Sequence, residues 1–274
     1  VVFYDWREYW NAGNGNGGRG KTIQAVQLDV ARFNAWLENT NLDGTTNLNG
    51  GKYFNALCQS PTHKHHSIDS MYIYSSVAPA NLVLPAVRIK NGQQLYDSKG
   101  LSVATPLPLY VQGDFNVTDG IGSNAGQNST THARPASFLA DSITILSTAW
   151  NDGGPGAKRP NAADTTVNAA CMAGIVPSDK GISATDNSTY SGGVENFFRL
   201  LENWSGDDFY YNGSIVVMFP SQYATNRWRK PGNNFYYDPP NRHWNFDTNF
   251  LIQDRLPPMA PQVKTVVRNS WANQ

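Results

Sequence analysis

The chain has 274 residues, of which 40% are hydrophobic and only 15% are charged, and its 21 basic and 21 acidic side chains cancel. Such a balance leaves no basic surface for nucleic acid or for an anionic membrane, so neither is an expected partner. No apolar run approaches the roughly 18 residues that a membrane-spanning helix needs. With 24 Gly, 13 Tyr and 8 Trp, the composition is typical of loop-rich β proteins that work outside cells.

The length favours one β-rich extracellular domain over residues 1–274, with residues 220–274 as its extended C-terminal segment. The chain begins at Val1 without Met or a signal peptide, which predicts a processed piece of a longer precursor. Cys58 and Cys171 lie far apart and have no metal-type spacing. Either they form a disulfide, which would stabilise the fold by roughly 4–5 kcal/mol, or they are two unpaired small side chains.

The first motif in chain order is a glycine-rich stretch. Gly15–Thr22 has the spacing GxxxxGK[ST] of a phosphate-binding P-loop. A P-loop also needs a buried strand before it and a helix after it. The residues that follow, Ile23–Leu28, alternate like a strand, so we interpret the glycines as a surface loop.

A short amphipathic helix is predicted next, at Val30–Leu37, with Asp29 as its N-cap. After a polar turn region comes a histidine cluster, His63, His65 and His66. Because His63 and His65 share a face of an extended segment, a surface metal site is one interpretation. The other is a solvated loop, since no carboxylate or Cys supports the histidines.

Strand patterns dominate from residue 70 onward, because apolar and β-branched residues alternate in short runs closed by Gly, Asn, Asp or Pro. Loops rather than tight turns separate these runs, which favours stacking over hairpin pairing. A second helix is predicted at Gly193–Trp204, where apolar residues recur at helical spacing. The expected strands are Met71–Ser75, Ala86–Lys90, Leu101–Thr105, Leu109–Gly113, Ala140–Leu146, Thr166–Gly174, Tyr211–Phe219 and Val263–Arg268.

Long phrases of the sequence carry a family resemblance, among them LSVATPLPLYVQGDFNV from Leu101 and YDPPNRHWNFDTNF from Tyr237. They resemble the C-terminal region of large, mostly uncharacterised bacterial surface proteins whose precursors begin with a type IV pilin-like helix. The resemblance implies export by a pilus-like route, an extracellular or cell-surface location and a right-handed β-helical body. We therefore expect a mainly β fold: an irregular, solenoid-like right-handed parallel β-helix with two short packed α-helices and an extended aromatic C-terminal segment.

Catalysis would have to start from the carboxylates near the central strands, Asp114, Asp119 and Asp141, since glycoside hydrolysis needs two facing carboxyls. Asp114 and Asp119 have turn chemistry, and Asp141 is expected to point outward, so no catalytic residue is assigned. Asp114, Asn116 and Asp119 also gather oxygen ligands within six residues. Calcium is therefore the one cofactor considered, although EF-hand spacing is missing.

Glycosylation sequons begin at Asn116, Asn128, Asn187, Asn203 and Asn212. Several such motifs arise by chance in a chain rich in Asn, Ser and Thr. Asn128 and Asn187 lie in polar loops and are the better candidates, whereas Asn203 and Asn212 adjoin elements expected to be partly buried.

The leading hypothesis is a non-catalytic structural or adhesive subunit of a bacterial surface filament or pilus-associated assembly, with copies of itself or other pilus-like surface proteins as partners. Its interface is expected on Trp228, Tyr236, Tyr237 and Trp244, because aromatic side chains commonly anchor interfaces. Packing of this segment over its own domain is the alternative. A carbohydrate-active enzyme or carbohydrate-binding module, in which the same rings stack on glycans, is the second functional hypothesis.

Overall fold

The alternating runs that lie within the described residues form strands in the computed structural model, which confirms a mainly β chain; Val263–Arg268 lies outside the described residues. The structure describes residues 1–10, 19–37, 68–96, 98–153, 159–177, 193–226 and 236–260. Within these ranges the strands are β1 (Val2–Trp10), β2 (Arg19–Asp29), β3 (Ser70–Tyr72), β4 (Val83–Gln94), β5 (Leu101–Ala104), β6 (Leu109–Thr118), β7 (Ala136–Ala140), β8 (Ile143–Leu146), β9 (Thr165–Ile175), β10 (Phe198–Leu200), β11 (Asp208–Pro220) and β12 (Asn241–Phe246). The described helices are α1 (Val30–Leu37) and three short 3-10 helices, Gly193–Asn196, Thr248–Leu251 and Gln253–Arg255.

All of these strands belong to one mixed sheet, whose hydrogen-bonded path runs β1-β2-β4-β6-β9-β7-β5-β3. β8 branches from β6 and carries β10, while β11 branches from β9 and carries β12. The pair β1 and β2 is antiparallel, and the other paired strands are parallel. Parallel neighbours need long connections, which explains why loops rather than tight turns separate the strands.

The predicted β-helix is wrong. The sheet is curled, mixed and open, like half a barrel, and is not a solenoid with two packed helices. β6 shows the physical reason: its first half pairs with β8, whereas Phe115 pairs with β9, so hydrogen bonding continues across the bend. Gly113 and Asn116 adopt left-handed φ values of 76° and 58° at this bend. The strands of Leu101–Leu146 are indeed parallel neighbours, but they lie in a continuous curled sheet.

The helix at Val30–Leu37 is confirmed with the predicted bounds. Asp29 Oδ1 accepts the backbone N–H of Arg32 at 3.2 Å, which is the hydrogen bond of an N-cap. Val30 and Leu37 are buried, so the helix packs by its apolar stripe. Among the described residues, no helix has the length and apolar character that a membrane crossing requires.

The second predicted helix, at Gly193–Trp204, is wrong. Its first residues form the 3-10 helix Gly193–Asn196, and Phe198–Leu200 forms β10, which runs parallel to β8. All three residues of β10 are buried. A strand covered on both faces has apolar residues at most positions, so its sequence also satisfies helical spacing.

Aromatic rings fill the interior of the curled sheet. Phe115 of β6 and Phe138 of β7 have ring centroids 4.7 Å apart. Phe198 of β10 meets Tyr211 of β11 edge-on at 4.6 Å. These strands are not hydrogen-bonded neighbours, so the rings bridge parts of the sheet that backbone pairing does not join directly.

A buried charged cluster joins β1 to β10. Glu8 and Arg199 form an ion pair with both side chains buried, and Tyr110 donates its hydroxyl to Asp5 Oδ2 at 2.6 Å. Burial lowers the pKa of the neighbouring Arg7 to about 9 and raises the pKa of Glu8. The cluster therefore fixes the N-terminal strand against a strand almost two hundred residues away in the chain. No sequence motif predicts this contact.

Candidate functional site

A polar cleft of about 1000 Å³ lies between the loop that follows β6 and the segment that begins at the end of β12. Residues 119–135 supply one wall, and residues 245–255 supply most of the other. Most of the uncharged residues that line the cleft are Asn, Ser or Thr, and two are phenylalanines. The charged side chains of the lining are Asp119, Arg134, Asp247, Asp254 and Arg255.

An asparagine row ties the first wall to the sheet. Asn212 Nδ2 donates to Asn168 Oδ1 at 2.8 Å, and Asn168 Nδ2 donates to the Asn116 carbonyl at 2.9 Å. Asn116 donates to the Arg134 carbonyl at 2.6 Å and accepts the Arg134 N–H at 2.8 Å. Asn tolerates the left-handed backbone that Asn116 adopts better than most residues. The row thus fixes the place where the loop returns to the sheet.

Asp119 shapes the other end of the loop. Its Oδ1 accepts the N–H groups of Ile121 at 2.8 Å and Gly122 at 3.1 Å, and its Oδ2 lies 3.2 Å from His132 Nδ1. The two backbone hydrogen bonds, supported by His132, hold the pKa of this carboxyl well below its usual range. The group is therefore an anionic hydrogen-bond acceptor at neutral pH.

A hydrogen-bond network connects the two walls. Asp247 caps the 3-10 helix after β12: its Oδ1 accepts the Asn249 N–H at 3.0 Å and the Thr130 hydroxyl at 2.8 Å. Asn249 Nδ2 donates to Thr130 Oγ1 at 3.0 Å, and Arg255 donates to Asn249 Oδ1 at 2.5 Å. Two chain segments more than a hundred residues apart are thereby held at a fixed distance, as a preorganised site requires.

Two residues of the cleft lining have unsatisfied hydrogen-bonding capacity. Arg134 Nε and Asn212 Oδ1 are buried and have no hydrogen-bond partner among the described residues. Buried polar atoms nearly always have partners in folded proteins. Neither atom is exposed, so the donors and acceptors that a ligand meets are the amide, hydroxyl, carboxylate and guanidinium groups of the other lining residues.

The cleft also exposes an aromatic ring. Phe246 is 54% exposed and meets Phe250 edge-on, with ring centroids 6.3 Å apart. Ile121, on the opposite wall, is 91% exposed. Hydroxyl, amide, carboxylate and guanidinium groups surround these apolar surfaces, so the cleft suits a polar ligand that also has a CH-rich face.

The electrostatics of the cleft favour recognition over proton transfer. A glycosidase needs two carboxyl groups in one site, one of them with a raised pKa. Burial raises the pKa of Glu8, Asp114 and Glu202, and none of these three lines the cleft. Asp119, which does line it, is held in the ionised form.

The other two carboxylates considered from the sequence lie elsewhere. Asp114 Oδ1 accepts the Thr166 N–H at 2.8 Å, and its side chain lines a separate cavity of about 140 Å³. The expectation that Asp141 points outward is wrong: it is buried and accepts the N–H groups of residues 222–224 at 2.5–3.2 Å. Asp141 is therefore an anchor for the chain after β11.

Calcium binding at Asp114, Asn116 and Asp119 stays a prediction. The Asn116 side chain is engaged with Arg134 and Asn168, and the Asp119 carboxylate closes its own turn. Across the described ranges, no group of three or more His, Cys, Asp or Glu side chains is arranged to hold a metal ion.

The predicted aromatic interface is largely buried. Tyr236 and Tyr237 are only 2% and 3% exposed, so they pack over their own domain. Trp244 is half-buried and meets Phe198 edge-on at 5.5 Å. Trp228 lies outside the described residues. The segment therefore contributes to the core at these positions, and among its described residues the exposed aromatic ring is Phe246.

The remaining predicted sites have mixed outcomes. Asn128 is exposed and lines the cleft, whereas Asn212 is buried, as its sequon position suggested. Cys171 is buried in β9, where burial raises the pKa of its thiol to about 12. Lys21 and Thr22 lie inside β2 rather than at the start of a helix, so P-loop geometry is not met. Three of these predicted sites include residues that lie outside the described part of the chain. These are the possible disulfide partner Cys58, the histidine cluster His63, His65 and His66, and the sequon at Asn187.

Sequence reasoning missed the residues that close the cleft, chiefly Thr130, Asn249 and Arg255. Asp247 had one local signal, since Asp is a favoured N-cap. Protein-family models, curated proteins and solved structures were compared with the chain, and none matches. The resemblance to bacterial surface proteins therefore stays a prediction, and the geometry of the cleft carries the functional argument.

Proposed function

We propose that this protein is an extracellular adhesive protein that binds a short neutral oligosaccharide in the polar cleft. The observation that carries the proposal is an exposed phenylalanine ring, Phe246, beside hydrogen-bonding groups of both kinds in a cleft of about 1000 Å³. The adhesive role and the extracellular location come from the composition and from the family resemblance.

Sugar chemistry fits this set of side chains. Each sugar hydroxyl both donates and accepts, and the cleft offers amides, hydroxyls, carboxylates and guanidinium groups. The CH face of a sugar ring packs against an aromatic face, which Phe246 supplies. The lining carries three carboxylates and two guanidinium groups, so a strongly charged ligand of either sign meets repulsion from some of them. A neutral oligosaccharide satisfies all three conditions.

The test is a glycan array followed by calorimetric titration of the best-bound oligosaccharide. We expect Phe246→Ala to weaken binding at least about fivefold, because truncation of a central aromatic contact costs about 1 kcal/mol or more. Phe219→Ala is the matched control, since Phe219 is also exposed but does not line the cleft. Absence of binding to every glycan, or equal affinity of Phe246→Ala and wild type, overturns the proposal.

Self-assembly into a surface filament is the second candidate function. β12 is hydrogen-bonded to β11 on one side and is an edge strand of the described sheet. An edge strand offers backbone N–H and C=O groups to a strand of another copy. Electron micrographs of the purified protein test this candidate: ordered fibres support it, and dispersed monomers at every concentration contradict it.

A further inference from the structure

An apolar groove of about 640 Å³ crosses the face of β3, β5, β7, β9 and β11. None of the described residues that line it carries a charge. The lining includes all four methionines of the chain, which are Met71, Met172, Met218 and Met259. Methionine side chains are flexible and polarizable, and they are frequent at surfaces that adapt to apolar ligands.

The floor of the groove consists of two rows of side chains in register across the strands. Residues two apart on a strand share a face, so the two rows lie side by side. With neighbouring strands about 4.8 Å apart, the rows are roughly 19 Å long from β3 to β11. The first row is Ser70, Ser102, Ser137, Ala170 and Ser214, and the second is Tyr72, Ala104, Leu139, Met172 and Val216. The first row is uniformly small, which makes a long, narrow channel.

A strap formed by residues 256–260 lies over part of this channel. Ser102 Oγ donates to the Pro258 carbonyl at 2.5 Å, and Ala260 N–H closes a turn onto the Pro257 carbonyl at 3.1 Å. Met259 has a left-handed φ of 62° and is 83% exposed. A residue other than glycine in this conformation is uncommon, and the turn of residues 257–260 requires it at its third position.

The channel does not suit a peptide. The strands beneath its centre, β5, β7 and β9, are hydrogen-bonded on both sides, so in the described sheet the edges open to strand addition lie at its two ends, on β3 and on β11 beyond Gly213, and not along its length. The hydroxyls of Ser102 and Ser137 are hydrogen-bonded to each other at 2.7 Å. A peptide would therefore leave backbone groups without partners, whereas a hydrocarbon chain has no such groups to satisfy.

The apolar groove adjoins the polar cleft. Phe250 lines both, and Arg255 of the cleft directly precedes Leu256 of the groove. We propose that the groove binds the single aliphatic chain of an amphiphile whose sugar-type head occupies the cleft. The assignment of the head rests on the proposed function, but the chain site does not, since it follows from the uncharged lining, the narrow floor and the strap.

The test measures the affinities of hexyl, octyl and decyl maltoside, each titrated below its micellar concentration. Maltose serves as the headgroup without a chain, and decanoate serves as a chain without a sugar. We expect the affinity to rise about fourfold for each added methylene until the groove is filled. Ala170→Leu, which fills the floor, abolishes this increment, while Ala149→Leu, on an exposed loop that lines neither the groove nor the cleft, leaves it intact. Met218→Glu is the second variant, because Met218 is exposed and its replacement spares the core; it lowers decyl maltoside affinity at least about tenfold.

Equal affinities for hexyl and decyl maltoside in the wild type overturn the chain site, as does an unchanged increment in both groove variants. A third outcome is that affinity rises with each methylene while decanoate binds as tightly as decyl maltoside. The sugar then contributes nothing to binding, so this outcome supports the chain site and overturns the sugar-type head. Binding of maltose without a chain-length increment leaves the proposed function standing and overturns the groove. The two proposals therefore fail by different measurements.

Discussion

Glu202 is completely buried after β10, where Ser147 donates to it twice: the backbone N–H at 2.7 Å and the hydroxyl at 2.6 Å. Burial raises the pKa of this carboxyl to about 7, although the hydrogen bonds from Ser147 oppose the shift. In the described structure the residue has no contact with the cleft. Its titration therefore affects the stability of the fold rather than ligand binding.

The stability of the protein should fall as the pH rises through this range. The pKa of Glu202 is 4.5 when unperturbed and about 7 in the fold, so the folded chain binds this proton more tightly than the unfolded chain does. The stabilisation is complete below pH 4.5 and is lost as the pH rises through about 7. We expect the free energy of unfolding to decrease by about 3 kcal/mol across the window from this group alone.

Urea unfolding across the window, for wild type and Glu202→Gln, measures this contribution. Gln is neutral and imitates the protonated acid, so the variant loses the pH dependence that Glu202 causes. Glu195→Gln, at an exposed position, is the control and keeps the wild-type profile. Identical profiles for Glu202→Gln and wild type contradict the assignment.

At the scale of single residues, local sequence predicts side chains that act locally. Asp119 followed by Gly120 indicates a turn, and Asp119 does close that turn with its own neighbours. Asp141 instead accepts N–H groups about eighty residues away. No pattern within a short window contains both partners, so its role was assigned incorrectly.

At the scale of elements, the asparagine row of β6, β9 and β11 is expected to determine both stability and the shape of the cleft. Asn168→Ala removes the donor to the Asn116 carbonyl and the acceptor for the Asn212 amide, both buried. A buried group without a partner costs about 1–3 kcal/mol, so we expect a loss of about 2–4 kcal/mol and weaker glycan binding.

Chemical denaturation and calorimetric titration of the same variant check this expectation. Asn245→Ala is the matched control for stability, since Asn245 is the registered partner of Asn212 on β12 but is exposed. Its unfolding free energy should change by less than about 0.5 kcal/mol. A similar effect of the two substitutions would show that the buried hydrogen bonds are not the cause.

The helix with one apolar face was predicted correctly from the sequence, whereas β10, which is buried on both faces, was predicted wrongly. Val30–Leu37 has an apolar stripe and a capping Asp29, and its bounds were predicted correctly. Phe198–Leu200 is buried throughout, so its periodicity does not distinguish strand from helix. Pairing with β8 determines its conformation, and tertiary packing commonly overrides local propensity in this way.

At the scale of the whole molecule, the ion pair of Glu8 and Arg199 links β1, at one end of the strand path, to β10, on the branch that β8 carries. Arg199→Met leaves a buried carboxyl without its partner, and we expect a loss of about 3–5 kcal/mol in unfolding free energy. The double variant Glu8→Leu with Arg199→Met should lose less than the sum of the two single losses, because no charge then remains unpaired.

A double-mutant cycle by urea unfolding measures this coupling. Arg32→Met is the control, because Arg32 forms a surface ion pair with Asp29 at 3.7 Å and its side chain is 74% exposed. Exposed pairs contribute little. Strictly additive losses for Glu8 and Arg199 would mean that the pair does not act as a unit.

The sequence by itself determined the β character, most strand positions within the described residues and the amphipathic helix, because alternation and capping are properties of short windows. The tertiary structure alone decided the curl of the sheet, the buried charged cluster, the polar cleft and the apolar groove. Each of these depends on pairs such as Asp247 with Thr130 or Ser102 with Pro258, which lie more than a hundred residues apart. Parallel pairing brings such residues together through register, and register is set by the packing of the complete sheet.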